Sequence, residues 1–190
     1  YGDVADLSNY GGAVIDKRSF DRNAAALQRA KSTPGLTIAA GGGADDSVGY
    51  FIEPTILLGD DPTDEAFQKE YFGPILAIHV YDDSKPGAFD EILDTVDSGS
   101  AYALTGAVIA DDRDAVARAS EKLRFAAGNL YINDKPTGSI VGQQPFGGAR
   151  ASGTNDKAGS PQNLLRWASA RSIKETFVAP TDHRYPHQGV

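Results

Sequence analysis

The sequence predicts an α/β fold in three layers, a mainly parallel sheet covered by helices on both faces. Three observations predict it. Short apolar runs alternate with segments of helical period, the pattern of strand–helix–strand units. Hydrophobic residues make up 41% and charged residues 23% of the chain, close to the globular average, which argues against disorder. A chain of 190 residues also buries roughly 70% of its unfolded surface, enough for one sizeable core or two small ones.

In chain order, residues 11–15 read as a strand. Over 16–31, Phe20, Ala24, Leu27 and Ala30 recur at helical spacing, with Asp16 or Ser19 as cap and Pro34-Gly35 as stop. Residues 37–40 form a strand that runs into Gly41-Gly42-Gly43. Residues 50–58 are extended, and Pro54 interrupts their ladder. A short helix over 62–70 with Asp61 at its cap leads to a strand over 75–81. Phe89, Ile92, Leu93 and Val96 mark a helix over 86–98, and 103–110 is an apolar strand. Asp111 caps a helix that buries Val116, Ala119, Leu123 and Ala126 or Ala127, with Gly128 as its terminal glycine. A strand over 129–133 follows.

The periodicity then stops. Residues 134–159 are rich in Gly, Ser, Asn and Pro, and so long an irregular stretch in a compact domain is usually functional. A short helix over 161–167, a strand over 172–178 and a Pro-bounded tail close the chain. No internal repeat is visible.

Composition excludes several classes. The net charge of -8 disfavours contact with phosphate backbones, so no nucleic-acid partner is expected. No run approaches the roughly 18 apolar residues of a membrane span. With no cysteine the chain carries no disulfide, zinc–thiolate site or thiol nucleophile. It also has no methionine and starts at Tyr1, which we read as a piece of a longer chain.

Two segments carry candidate chemistry. In Glu70-Tyr71-Phe72-Gly73-Pro74 a carboxylate stands beside aromatics on a turn stiffened by Gly-Pro. Such a carboxylate can accept hydrogen bonds from sugar hydroxyls while a ring packs a flat ligand. A helix end with a solvated Glu and a core Phe reads equally from the same residues. In the long loop, consecutive backbone N–H groups around Gly138 and Ser139 can form an anion-binding concavity, although a purely structural loop fits as well. The loop matches neither the Walker A pattern nor the dinucleotide glycine fingerprint. Pro186 keeps His183 and His187 off a common helix face, so no metal site is expected. His79 reads as a core or edge residue, and Asp82-Asp83 and Asp111-Asp112 as turns and caps. Ser152 lacks a nucleophile-elbow pattern.

Four motifs fall in the order and spacing of a known family: Gly49-Tyr50-Phe51-Ile52-Glu53-Pro54-Thr55, Glu70-Tyr71-Phe72-Gly73-Pro74, Tyr102-Ala103-Leu104-Thr105-Gly106 and Pro145-Phe146-Gly147-Gly148 with Ser152-Gly153. Together they resemble the aldehyde dehydrogenase superfamily. Asn133-Asp134-Lys135-Pro136-Thr137-Gly138-Ser139, residues 143–157 and Leu165-Arg166-Trp167 narrow the likeness to the monofunctional 1-pyrroline-5-carboxylate (glutamate-semialdehyde) dehydrogenase branch. Bifunctional proline-utilisation enzymes are similar but depart from Ala149-Arg150-Ala151-Ser152-Gly153-Thr154-Asn155-Asp156.

The resemblance implies NAD as cofactor, with Glu70 on the ribose hydroxyls next to nicotinamide and Phe72 beside the nicotinamide ring. It implies that Gly138 and Ser139 hold the carboxylate of L-glutamate 5-semialdehyde through their amides and that Phe146 lines the aldehyde pocket. In the family a cysteine thiolate attacks the aldehyde, hydride leaves to NAD, and a water activated by a Glu cleaves the thioester. The expected nucleophile, general base and pyrophosphate turn lie before Tyr1, so the 190 residues are expected to be inactive alone. Residues 1–168, with the anchor loop 134–159, then form the C-terminal part of the catalytic domain, and 169–190 an oligomerisation strand and tail. The expected partners are the rest of its own chain and a homodimer or higher homo-oligomer. A dehydrogenase for another semialdehyde such as succinate semialdehyde, or a truncated non-catalytic assembly partner, are the alternatives. The Asp- and Ala-rich composition fits bacterial cytoplasm, with the mitochondrial matrix as the alternative location.

Overall fold

A computed structural model of the chain describes residues 1–153 and 157–189. Helix α1 (Lys17–Ser32) starts where Asp16, in extended conformation, accepts a hydrogen bond from the Ser19 amide at 2.8 Å. It ends at Thr33, ahead of Pro34-Gly35, with Arg29 and Lys31 in its last turn, where cations suit the helix dipole. Phe20, Leu27 and Ala30 are buried as their spacing predicts. Asn23 is buried among them, completely.

Strand β1 (Leu36–Ala40) enters Gly41 and Gly42, whose φ angles of 72° and 97° turn the chain back. A small hairpin, β2 (Ala44–Asp45) and β3 (Phe51–Ile52), leads to β4 (Thr55–Gly59). Pro54 separates β3 from β4, so the extended run over 50–58 is two strands. Helix α2 (Glu65–Gln68) is shorter than its pattern suggests and is capped by Asp64, not Asp61. Asp61 instead closes a turn by accepting from the Thr63 amide. Strand β5 (Ile75–Ile78) follows, then α3 (Ala88–Ser98), which buries Leu93 but leaves Val96 exposed.

The apolar run over 103–110 is also two strands, β6 (Tyr102–Ala103) and β7 (Thr105–Val108). Helix α4 (Arg113–Lys122), capped by Asp112 rather than Asp111, precedes β8 (Asn129–Ile132). Strand β9 (Ala149–Arg150), helix α5 (Pro161–Leu164) and a 3₁₀ turn at Leu165–Trp167 complete the ordered elements up to the tail.

The expectation of a mainly parallel sheet is corrected. Among the described residues the strands form one three-stranded sheet, β1-β4-β5, and three pairs, β2-β3, β6-β9 and β7-β8. Only β4–β5 and β7–β8 run parallel there. The reason is what lies between the strands. A parallel pair needs a crossover, and α2 or α4 supplies one in each case. Between β1 and β4 there is only a glycine turn and a hairpin, so they pair antiparallel, Leu36 opposite Gly59. Two small cores result: Phe20, Leu27 and Ile52 under α1, and Leu93, Ala119 and Leu123 between α3 and α4.

Three further expectations differ. Residues 11–15 form no strand; Val14 makes one hydrogen bond, to the Tyr50 carbonyl at 2.9 Å. Residues 172–178 form no strand among the described residues, because no neighbouring chain segment offers them a ladder, and Ile173 and Phe177 stand in solvent. Gly128 does not terminate α4, which ends six residues earlier at Lys122 with Leu123 as its C-cap. Its function is contact. A Cβ there would sit 2.0 Å from the Gly147 oxygen and 2.5 Å from the Gly148 Cα, so two backbones meet with no room for a side chain. Gly128→Ala should therefore lower unfolding stability by about 1–3 kcal/mol, read as a drop in urea midpoint. Gly11→Ala, where nothing lies within 4 Å, should stay within about 0.5 kcal/mol; equal effects at both positions would contradict the backbone contact.

Candidate functional site

The turn after α2 is built by α1. Lys69 leaves the helix in extended conformation, Glu70 is exposed, and Tyr71 is buried. Phe72 then adopts a left-handed conformation, φ 54°, which is unusual for a bulky side chain. Its ring stays 75% exposed. A backbone held there needs over-determined surroundings, and three side chains on one face of α1 provide them. Arg22 Nε donates to the Tyr71 carbonyl at 2.8 Å, and Asn23 Nδ2 donates to the same oxygen at 3.1 Å. Ser19 Oγ donates to the Phe72 carbonyl at 3.4 Å. The Arg22 guanidinium also lies 5.9 Å from the centre of the Phe72 ring. Asn23 Oδ1 has no hydrogen-bond partner and occupies the place of a Gly73 Cβ, so only glycine fits there.

Arg29 ties α1 to the start of α2 through two hydrogen bonds to Asp64, at 3.0 and 2.6 Å. The Arg29 hydrogen bonds hold the Asp64 carboxyl below its usual range, and the same contact raises the Arg29 guanidinium. The Tyr71 hydroxyl donates to Glu65 at 3.0 Å. Burial first, then that Glu65 carboxylate, pushes the Tyr71 phenol up to about 12.

Glu70 and Phe72 line one cleft of about 630 Å³ with Tyr102, Leu104, Ala151 and Ser152. The structure therefore brings the two predicted cofactor residues together and sets part of the long loop on the opposite wall. Gly138, Ser139 and Phe146 lie outside that wall. Gly138 is exposed with φ 126° and open space around it, and Ser139 is half-buried. Phe146 is half-buried too, exchanging backbone hydrogen bonds of 2.8 Å with Ala158.

The long loop is irregular but pinned. Asn133, at φ 53°, bonds both backbone groups of Ala110 through its side-chain amide, at 2.9 and 3.0 Å, and so redirects the chain out of β8. Thr105 donates its hydroxyl to the Pro136 carbonyl. Asn129 holds Pro145 and Gly147 from the sheet side. The Lys157 ammonium donates to the Gly128 and Gly147 carbonyls. Arg150, at φ 50°, reaches the Asp97 carboxylate and carbonyl at the end of α3. Ser152 Oγ accepts from the Ala103 amide at 3.3 Å, a structural task and not a nucleophilic one. Thr154, Asn155 and Asp156 of the branch pattern lie outside the described residues.

The model of the Aldehyde dehydrogenase family matches residues 1–173. The chain belongs to the aldehyde dehydrogenase family. Its sequence is 56% identical to the mitochondrial delta-1-pyrroline-5-carboxylate dehydrogenase of Bos taurus, over 96% of this chain and 32% of that one. It is 53% identical to the mitochondrial enzyme of the same name from Dictyostelium discoideum, over 98% of this chain and 33% of that one. The fold superposes on the crystal structure of the delta-pyrroline-5-carboxylate dehydrogenase of Mycobacterium tuberculosis with a TM-score of 0.86 and 67% identity, covering 100% of this chain and 35% of that one. The chain thus spans about a third of the length of the curated relatives it matches.

Sequence reasoning missed Ser19, Arg22 and Asn23 as supports of the turn. The signal was present: position 23 falls on the buried stripe that Phe20, Leu27 and Ala30 define, where a polar residue needs an internal partner. It also missed Tyr102 and Leu104 as cleft walls, since the first falls just outside the apolar run over 103–110 and the second reads as a strand residue within it.

The Tyr71 phenol makes this site sensitive to alkali. Below pH 10 the phenol is neutral in folded and unfolded chains, and its contribution is complete. Between pH 10 and about 12 the unfolded chain loses the proton and the folded one keeps it, so stability falls as pH rises. An absorbance titration of the tyrosinates should show a component near pH 12 that disappears in Tyr71→Phe; an unchanged curve in that variant would refute the assignment.

Proposed function

We propose that the protein containing this chain oxidises L-glutamate 5-semialdehyde, the open form of 1-pyrroline-5-carboxylate, to L-glutamate with NAD, a late step of proline degradation. The observation that carries the reading is the shared cleft of Glu70 and Phe72, with the backbone on either side of the exposed ring held by three hydrogen bonds from α1. It is supported by a Mycobacterium tuberculosis relative whose structure is described as bound with NAD and which is 65% identical over the whole of this chain, with a TM-score of 0.84.

The residues fit that cofactor. An exposed carboxylate, which only accepts, suits a pair of ribose hydroxyls, and an exposed aromatic face suits a flat heteroaromatic ring. NAD supplies a hydride acceptor when bound. Glu70 orients the ribose and Phe72 limits where the ring sits, which shields the reacting face from water. On the substrate side, the amides of Gly138 and Ser139 hold the substrate carboxylate, and Phe146 lines the aldehyde pocket. The 190 residues contain no cysteine, so a thiolate nucleophile has to come from outside them, and the chain alone is inactive.

Ser139→Leu in the full-length protein tests the substrate class. The added bulk should keep the substrate carboxylate from amides that the substitution leaves in place, reducing kcat/KM for glutamate semialdehyde about 10- to 100-fold, the weight of hydrogen bonds to a charged group, and leave activity on uncharged aldehydes within about threefold. A panel that includes succinate semialdehyde separates the two acidic substrates. Unchanged selectivity in the variant would sink the anchor.

We also propose that residues 1–168 serve as part of the catalytic domain and 169–190 as an assembly segment. Ile173, Phe177 and Val178 are 77%, 91% and 82% exposed, and an extended segment of this kind gains a ladder by joining another sheet edge. Removing residues 172–190 from the full-length protein should leave a monomer or an aggregate in light-scattering chromatography; an intact oligomer would exclude the role.

A further inference from the structure

We infer that Arg22 and Asn23 of α1 are positioning residues for the nicotinamide side of the cleft, acting through the backbone of Phe72. The inference rests on the proposed placement of nicotinamide beside Phe72 and adds to it the device that sets the ring.

The geometry gives both side chains one common task. Asn23 is fully buried on the α1 face that also buries Ser19, Phe20, Ala26 and Leu27, and its Nδ2 donates to two carbonyls, Ser19 at 2.8 Å and Tyr71 at 3.1 Å. A buried amide with one oxygen unpaired is costly compared with a leucine of similar volume. Stability alone therefore does not account for it. What the amide does is fix the peptide that precedes Phe72. Arg22 fixes the same oxygen from the solvent side, at 2.8 Å, and its guanidinium stands near the ring face. Ser19 fixes the peptide that follows Phe72.

Both peptides flanking a left-handed, non-glycine residue are thus held by one helical face, residues 19, 22 and 23. Without that hold, Phe72 relaxes towards a right-handed or extended backbone, and its ring swings away from the cleft it lines. Glu70 is two residues away on the same turn, so the sugar-binding carboxylate moves with it. Gly73 completes the arrangement, because its missing Cβ is what lets Asn23 approach.

A double-mutant cycle on the full-length enzyme tests this. Asn23→Leu and Arg22→Leu should each lower kcat/KM for NAD about tenfold while KM for the aldehyde stays within about twofold, the weight of one or two hydrogen bonds to a charged or strained group. In a Phe72→Ala background the same substitutions should add less than about a twofold loss, because the ring they position is gone. If Asn23→Leu fails to fold, Arg22→Leu, at an exposed position, carries the cycle by itself. Losses that multiply fully in the Phe72→Ala background, or KM values for both substrates that rise together, would overturn the positioning role. A Phe72→Ala enzyme with unchanged kinetics towards NAD would instead remove the nicotinamide placement, and this inference with it. An impaired Phe72→Ala enzyme beside unimpaired Arg22 and Asn23 variants would remove this inference alone.

Discussion

The carbonyl of Tyr71 receives two hydrogen bonds from a single turn of α1, and much of the site's geometry follows from that contact. It joins the helix packed on the three-stranded sheet to the turn that leads into β5. Asp16 starts that helix, Asp64 receives Arg29 near its end, and the stretch from α2 to β5 is drawn along its flank. The polar groups are internal partners for one another, so the contact is specific where an apolar one would slide. Burial of Phe20, Leu27 and Ile52 supplies the stabilisation, roughly 1.5–3 kcal/mol per large side chain. The hydrogen bonds decide where the turn stops.

The long loop obeys a different economy. It has almost no regular structure and little apolar burial, yet it is tied at several places: Thr105 and Asn129 from the strands and Lys157 from the loop itself bond its main chain, and Arg150 reaches out to Asp97. Each supplies a donor or acceptor that a ladder would otherwise provide. Irregular backbone near a core is tolerated on those terms.

Much of the fold was legible because it depended on period. The stripe of Phe20, Leu27 and Ala30 and that of Leu93, Val116 and Ala119 announce their helices, and Pro54 announces the break between β3 and β4. Sheet polarity was less legible, since it turns on whether a helix or a glycine turn joins two strands. Gly41 and Gly42 pointed to the answer but were read only as a strand's end. Caps slipped by one to three residues, from Asp61 to Asp64 and Asp111 to Asp112, because aspartates close in sequence are all good N-caps and residue type does not choose among them. In the site, Glu70 and Phe72 stood out through residue type and the family likeness. The helix that holds them did not, because a contact across some fifty residues leaves no local pattern.

The meeting of Gly128 with Gly147 and Gly148 divides the loop into two kinds of sequence space. At the seam, Gly128 and Gly148 accept nothing larger than hydrogen, and Asn129 and Lys157 lock the register around them. Towards the tip, Gly138 and Gly142 have no heavy atom within 4 Å of where a Cβ would project, but their φ angles of 126° and 81° favour glycine. The loop therefore keeps its glycines for two separate physical reasons, collision at the seam and backbone conformation at the tip.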